Sequence, residues 1–179
     1  MGAKEQGADT TTTANRWQVV ARTLNFITYQ GDLLLMKRAM HKRIFPGFYN
    51  GVGGHIEHDE DPLTSARREI LEETGLYITQ LRFCGSTHID AGQATGIILY
   101  IFTGEADSRE VVDCEEGTLE WLPLAPLLES LQNGTNQLPL VEDLPITLPR
   151  IFGMDAPPLP FFAHVSYDAS DQIVFRVAK

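Results

Sequence analysis

The chain has 179 residues and a formal net charge of −10, with Lys+Arg 14 against Asp+Glu 24. That length supports one well-packed core and is short for two domains, and the acidic balance argues against non-specific nucleic-acid binding. No apolar run approaches a membrane span and no charged-then-apolar leader opens the chain, so a cytoplasmic protein without a membrane partner is expected.

Residues 1–15, with Thr10 to Thr13 in a row and few large apolar side chains, read as a disordered tail, which leaves 16–179 as a single domain. Val19 to Tyr29 then reads as a strand, Gln30-Gly31-Asp32 as a turn and Leu33 to Arg38 as the partner strand. Arg38 with His41, Lys42 and Arg43 forms a basic stretch at the end of that pair.

Asp61 followed by Pro62 marks a helix start: a side-chain acceptor at the N-cap, then a proline where its missing N–H costs nothing. Gly75 is the matching stop, because glycine takes the left-handed conformation after a helix cheaply. Between them Leu63, Ala66 and Ile70 recur at helical spacing as the buried stripe.

Leu81 to His88 and Gly96 to Gly104 are further strands, the second so continuously apolar that burial on both faces is expected. Leu119 to Leu122 reads as a short strand, and Leu124 to Gln132 as a second helix closed by Asn133-Gly134. Prolines 145 and 149 leave the next segment unassigned. Phe161 to Tyr167 and Ile173 to Val177 form a hairpin around Asp168-Ala169-Ser170-Asp171. Strands flanked by two helices give an α/β layered domain.

The chemistry is concentrated on the first helix. Glu69, Glu72 and Glu73 stand at i, i+3 and i+4 and project from one side, and Arg68 lies four residues before Glu72. The carboxylates crowd the C-terminal half, where the helix dipole favours cations, and Glu69 with Glu73 is a like-charge i,i+4 pair. A divalent cation offsets both penalties, and Mg²⁺, or Mn²⁺ in its place, suits oxygen ligands and keeps room for water and phosphate. The histidines His55, His58 and His88 are not expected as ligands. Cys84 and Cys114 lack metal-ligand spacing and read as reduced thiols outside the mechanism.

Gly54, Glu60, Arg68, Glu69, Ile70, Glu72, Glu73, Gly75 and Leu76 fit the pattern G-x5-E-x7-R-E-U-x-E-E-x-G-U, where U is aliphatic. That is the Nudix box, and the chain resembles a Nudix hydrolase at every specified position. The resemblance implies the Nudix fold, an α/β/α sandwich around a mixed sheet. It implies hydrolysis of a nucleoside diphosphate linked to another group, by water attack at phosphorus. Glu69 and Glu73 are then the primary metal ligands, and Glu72 is a third ligand or the group that orients the water. Glu60 supports the loop, and Gly53-Gly54 lets backbone amides approach phosphate oxygens. Glu116, in Cys114-Glu115-Glu116-Gly117, is the candidate for a further acidic ligand from a later loop. Homodimers are common in the family, so the resemblance allows a homodimer.

Residues outside the box bear on the substrate. Phe48-Tyr49-Asn50-Gly51-Val52-Gly53-Gly54 resembles the stretch before the box in the branch that hydrolyses oxidised purine nucleoside triphosphates such as 8-oxo-dGTP. Asn50 then hydrogen-bonds the purine edge, or it is a turn residue before Gly51. Glu116 to Pro123 and Pro160 to Val165 are similar to the same branch, with Trp121 as an aromatic wall for the base or as a core residue. Glu142-Asp143 falls where that branch carries an acidic base-reading pair, although the surrounding Leu-Pro pattern departs from it. Arg38 resembles a family arginine that contacts phosphates. The products implied are a nucleoside monophosphate and pyrophosphate. Dihydroneopterin triphosphate, ADP-ribose and ordinary NTPs are the alternative substrates. A non-catalytic nucleotide sensor is the alternative class, disfavoured because every box glutamate is kept and no attached DNA-binding domain is expected.

Overall fold

The computed structural model describes residues 16–112, 114–153 and 160–178; the expected tail over 1–15 lies outside them. The elements in chain order are β1 (Gln18–Tyr29), β2 (Asp32–Arg38), β3 (Tyr49–Asn50), α1 (Pro62–Thr74), β4 (Leu81–Ile89) and β5 (Thr95–Glu105). They continue with β6 (Gly117–Pro123), α2 (Leu124–Gln132), α3 (Leu144–Phe152), β7 (Phe161–Tyr167) and β8 (Ile173–Val177). The strands form one sheet in the order β3-β2-β1-β5-β4-β7-β8, with β6 paired to β2. β1 with β5 and β4 with β7 run parallel and the other pairs antiparallel, so the sheet is mixed.

Strand alternation divides the core between two layers. Leu33 and Leu35 face a cluster with Leu127 of α2 and Leu144, Leu148 and Ile151 of α3. Leu34 and Met36 face the other cluster with Ile70 of α1, Val52 and Leu76. One side chain up and the next down thus feeds two apolar layers from one strand. The result is the expected α/β/α sandwich with a mixed central sheet.

The capped helix forms as its residues dictate. Asp61 accepts from the Leu63 and Thr64 amides at 2.8 and 3.1 Å, and Gly75 closes α1 with φ 75° and an N–H bond to the Leu71 carbonyl. Ala66 and Ile70 are fully buried, and Leu63 only partly so. The hairpin of β7 and β8 also forms, its turn tied by Asp168 accepting from the Ser170 and Gln172 amides.

Two segments differ from expectation. The proline-containing stretch after Asp143 is the nine-residue helix α3, with Pro145 in its first turn and Pro149 inside. Burying Leu144, Thr147, Leu148 and Ile151 outweighs the hydrogen bond that Pro149 cannot donate. In β5 only Ile101, Phe102 and Thr103 form a fully buried run. Its first half, including Ile97 and Leu99, instead walls a cavity.

The site is made by a split in the sheet. β1 pairs with β2 only over Ile27–Tyr29, and β2 then continues along β3 at Met36 and Lys37. The chain after β3 runs into the gap and bonds β1 instead. The Asn25 amide donates to the Val52 carbonyl at 2.7 Å, the Thr23 amide to Gly54 at 2.9 Å, and the Ile56 amide to Ala21 at 3.1 Å. From the other side the Tyr49 amide bonds Pro139 and the Val141 amide bonds Tyr49, bringing the approach to α3 beside β3.

Candidate active site

A cavity of about 700 Å³ opens at the split, and residues from the two core layers meet in it. Glu69, Glu72 and Glu73 of α1 border it, with Gly53 and Gly54 below them, Arg38 and Met36 from β2, and Glu116 from the turn before β6. Leu24, Ile97, Leu99 and Val141 add apolar lining, and Asn50 and Asp143 border the cavity as well.

The glycines are steric necessities. Gly53 has φ 146°, and a Cβ there would lie 2.3 Å from the Thr23 carbonyl oxygen. At Gly54 a Cβ would come within 2.5 Å of Glu69 Oε1. The Gly53 amide, expected to face phosphate, donates instead to Glu73 Oε2 at 2.8 Å.

Arg68 organises the rest of the cluster. Its Nη2 lies 2.6 Å from Glu60 Oε1, and its Nη1 lies 2.8 Å from Glu69 Oε1 and 3.0 Å from Glu72 Oε2. It also donates to the His55 carbonyl at 3.0 Å, so one guanidinium fastens α1 to the preceding loop. Glu60 accepts the Glu57 amide as well, the supporting role expected of it. Hydrogen bonds from Arg68 hold the Glu60 carboxyl down at about 2.

The box carboxyls divide by burial. Glu73 is 9% exposed, and desolvation pushes its carboxyl up to about 8, with Glu69 and Glu116 raising it further. Burial also raises Glu69, against the pull of Arg68. Glu72, with a side chain 58% exposed, lies at the rim. Glu116 is paired with Lys42 Nζ at 2.6 Å. Among the described residues no three His, Cys, Asp or Glu side chains form a ready cage for a metal ion. The expected convergence is therefore incomplete in this arrangement: Arg68 draws Glu69 and Glu72 while the Gly53 amide holds Glu73.

The remaining candidates separate clearly. Asn50 Oδ1 accepts the Gly51 amide at 2.9 Å, so it serves its turn while bordering the cavity. Asp143 is buried in the cavity wall, and desolvation raises its carboxyl to about 6. Its neighbour Glu142 is exposed and accepts from the Tyr167 hydroxyl at 3.0 Å, apart from the cavity residues. Trp121 is not brought to the site. It pairs with Leu34 on β6, near the far end of β2 from Arg38, stacks near Tyr29 and donates its indole N–H to the Arg109 carbonyl. Burial against the α1-side core accounts for it better than a base wall does. His55 borders the cavity through the loop, and His58 and His88 do not. Arg22, Leu24, Ile97, Leu99 and Val141 were missed by sequence reasoning; only Arg22, a charge between Ala21 and Thr23 in an apolar strand, carried a signal.

The profile of the NUDIX domain family matches residues 18–144, most of the chain. The chain belongs to the Nudix family. This Nudix chain is 35% identical over 115 residues to an isopentenyl-diphosphate Delta-isomerase from Jannaschia sp. (strain CCS1), covering 60% of the chain and 65% of that protein. It is 31% identical over 104 residues to an oxidized purine nucleoside triphosphate hydrolase from Danio rerio, covering 57% of the chain and 65% of that protein. The match thus spans less than two thirds of either relative. The Nudix fold itself is shared with a mutator MutT protein from Bacillus halodurans at a TM-score of 0.69 and 20% identity, over 88% of this chain and 97% of that one.

Proposed function

We propose that the protein is a Mg²⁺-dependent Nudix hydrolase that cleaves a nucleoside diphosphate linked to a further group. The observation that carries the reading is Glu73, a buried carboxyl with no ion-pair partner among the described residues, beside Glu69 and Glu116 in one cavity. An all-oxygen donor set around a buried acid outside any ion pair fits a hard divalent cation, Mg²⁺ or Mn²⁺. Glu69 and Glu73 would hold it, with Glu116 as a further ligand and Glu72 as either a third ligand or the group that orients the attacking water. When bound, such a cation neutralises phosphoryl oxygens and activates a water.

The chain's own residues supply positioning, which is most of what phosphoryl transfer requires. Arg68 fixes the rotamers of Glu69 and Glu72 through paired hydrogen bonds. Arg38 borders the same cavity, near enough to Glu73 to oppose its rise, and serves as a phosphate contact. Gly53 and Gly54 keep the loop close against β1 and α1.

The best substrate reading is an oxidised purine (d)NTP such as 8-oxo-dGTP, released as nucleoside monophosphate and pyrophosphate. Leu24, Ile97, Leu99 and Val141 offer apolar surface for a flat base, while Asn50 and Asp143 offer donor and acceptor groups for its edge. The Danio rerio relative, named for oxidised purine triphosphates, supports the same choice. Dihydroneopterin triphosphate, ADP-ribose and ordinary NTPs are the competing substrates within the reaction class. The Jannaschia relative, named for a diphosphate, favours a second reading, diphosphate chemistry without hydrolysis.

A Mg²⁺-dependent screen over oxidised and normal NTPs, dihydroneopterin triphosphate and ADP-ribose, with phosphate and pyrophosphate measured separately, tests this. Release of pyrophosphate fastest from an oxidised purine triphosphate is the expected result. Release of neither product from any triphosphate, together with no AMP from ADP-ribose, would remove the hydrolase reading in favour of the second one or of a nucleotide sensor.

A further inference from the structure

Charge balance in the cavity leaves several arginines unpaired, and burial separates them. Arg68 is taken by Glu60, Glu69 and Glu72, and Lys42 by Glu116. Arg22, Arg38 and the exposed Arg43 also border the cavity, and among the described residues no carboxylate lies within ion-pair distance of any of them. Arg38 at least places its Nε on the Ile44 carbonyl at 3.0 Å. The Nε of Arg22 is sealed from water and has no hydrogen-bond partner among the described residues.

Strand geometry explains how Arg22 comes to be there. On β1 it lies between Val20 and Leu24 in the two-residue alternation, opposite Leu99 of β5 and bridged to His55 of the loop. Leu24 is core, so the same alternation turns Arg22 inward, where the split in the sheet gives it a cavity. Enclosing a guanidinium beside another one, with a donor unmet, is unfavourable unless an anion arrives. Burial and the facing Arg38 charge both make the protonated form of Arg22 harder to hold. This occurs in a chain of net charge −10, where carboxylates for pairing are plentiful.

We infer that Arg22 is a substrate-binding residue which, with Arg38, receives the phosphate chain and sets a preference for triphosphates over less highly charged diphosphate compounds. The inference rests on the phosphoanhydride substrate proposed above. A guanidinium fork matches phosphate oxygens in pairs, and a phosphate chain also brings the negative charge that a base edge and a sugar hydroxyl lack. Bound phosphate on the guanidinium relieves the Arg22–Arg38 repulsion.

The test is isothermal titration of the full chain with inorganic tripolyphosphate in Mg²⁺ buffer, which needs no turnover. Arg22→Gln is expected to weaken binding by about ten- to a hundredfold, the size of a charged hydrogen bond, and Arg22→Lys by less. In steady state, KM for dGTP should rise in Arg22→Gln more than KM for ADP-ribose, with kcat moving less than KM. Arg22→Met, which keeps an apolar stem against Leu99, replaces Arg22→Gln where that variant does not fold. Equal tripolyphosphate affinity in wild type and variant overturns the inference, as does an equal rise of KM for both nucleotides. A wild type that binds tripolyphosphate through Arg22 but hydrolyses no nucleotide leaves the inference standing and rejects the hydrolase reading instead.

Discussion

The backbone amide of Gly53 donates to Oε2 of Glu73 at 2.8 Å, joining the loop in the sheet split to the helix that carries the acidic cluster. The bond favours the ionised carboxylate, but burial opposes it more strongly and leaves Glu73 at about 8. A group that is protonated without metal and ionised with it couples metal binding to proton release. Mg²⁺ affinity should therefore rise with pH up to about 8 and flatten above it. Calorimetry in buffers of different ionisation enthalpy should show protons released on binding at neutral pH. A buffer-independent heat would contradict the assignment.

Glu73→Gln keeps the volume and can still accept from Gly53, so the fold should persist. It removes the negative charge that the proposed cation needs. Turnover should fall by about a hundredfold or more, beyond the ten- to hundredfold typical of an outer-shell partner. Near-normal hydrolysis in that variant removes Glu73 from the metal site.

Arg68→Ala strips the counter-charge from Glu60, whose side chain is only 8% exposed. Leaving one member of such a pair alone should cost about 2–3 kcal/mol, less than for a fully buried pair because Arg68 itself is partly solvated. Urea denaturation measures the loss. Adding Glu60→Gln should restore part of it, since the unpaired charge is then gone.

Asp143 titrates at about 6 in the fold against 3.8 as an ordinary aspartate. The folded state therefore binds more protons within that window, and the Asp143 contribution to stability falls as pH rises from about 4 to about 6 and is level above it. The fall should be about 2–3 kcal/mol. Denaturation midpoints collected across pH 4–7 should lose that component in Asp143→Asn. An unchanged profile in the variant assigns the dependence elsewhere.

Asn50 Oδ1 is committed to the Gly51 amide, and the side-chain NH₂ has no partner among the described residues. Asn50→Ala should compress the ranking of oxidised over normal purine triphosphates by about tenfold. An unaltered ranking of kcat/KM would confine Asn50 to its turn.

The helix α1 was legible because everything that specifies it is local. Asp61, Pro62 and Gly75 mark its ends, and the spacing of Ala66, Ile70 and the three glutamates sets its faces within a few turns. The hairpin of β7 and β8 was equally plain from its turn residues. The helix α3 was not, since Pro149 argues against it and only the buried contacts of Leu148 and Ile151 decide the matter.

The site divides along the same line. Which carboxylates act together follows from helical periodicity, and the pattern from Gly54 to Leu76 names the family and the reaction class it suggests. What those carboxylates face depends on pairings between distant segments, such as Arg22 with Leu99 and Tyr49 with Leu140. Those pairings put Asp143 in the cavity and Glu142 outside it, leave Trp121 in the core, and turn half of an apolar strand into a cavity wall. A side chain's period along its own strand says only that it faces one side or the other. The tertiary register alone decides whether that side holds packed core, solvent or a ligand, and it is the register that gives Arg22 a cavity to face.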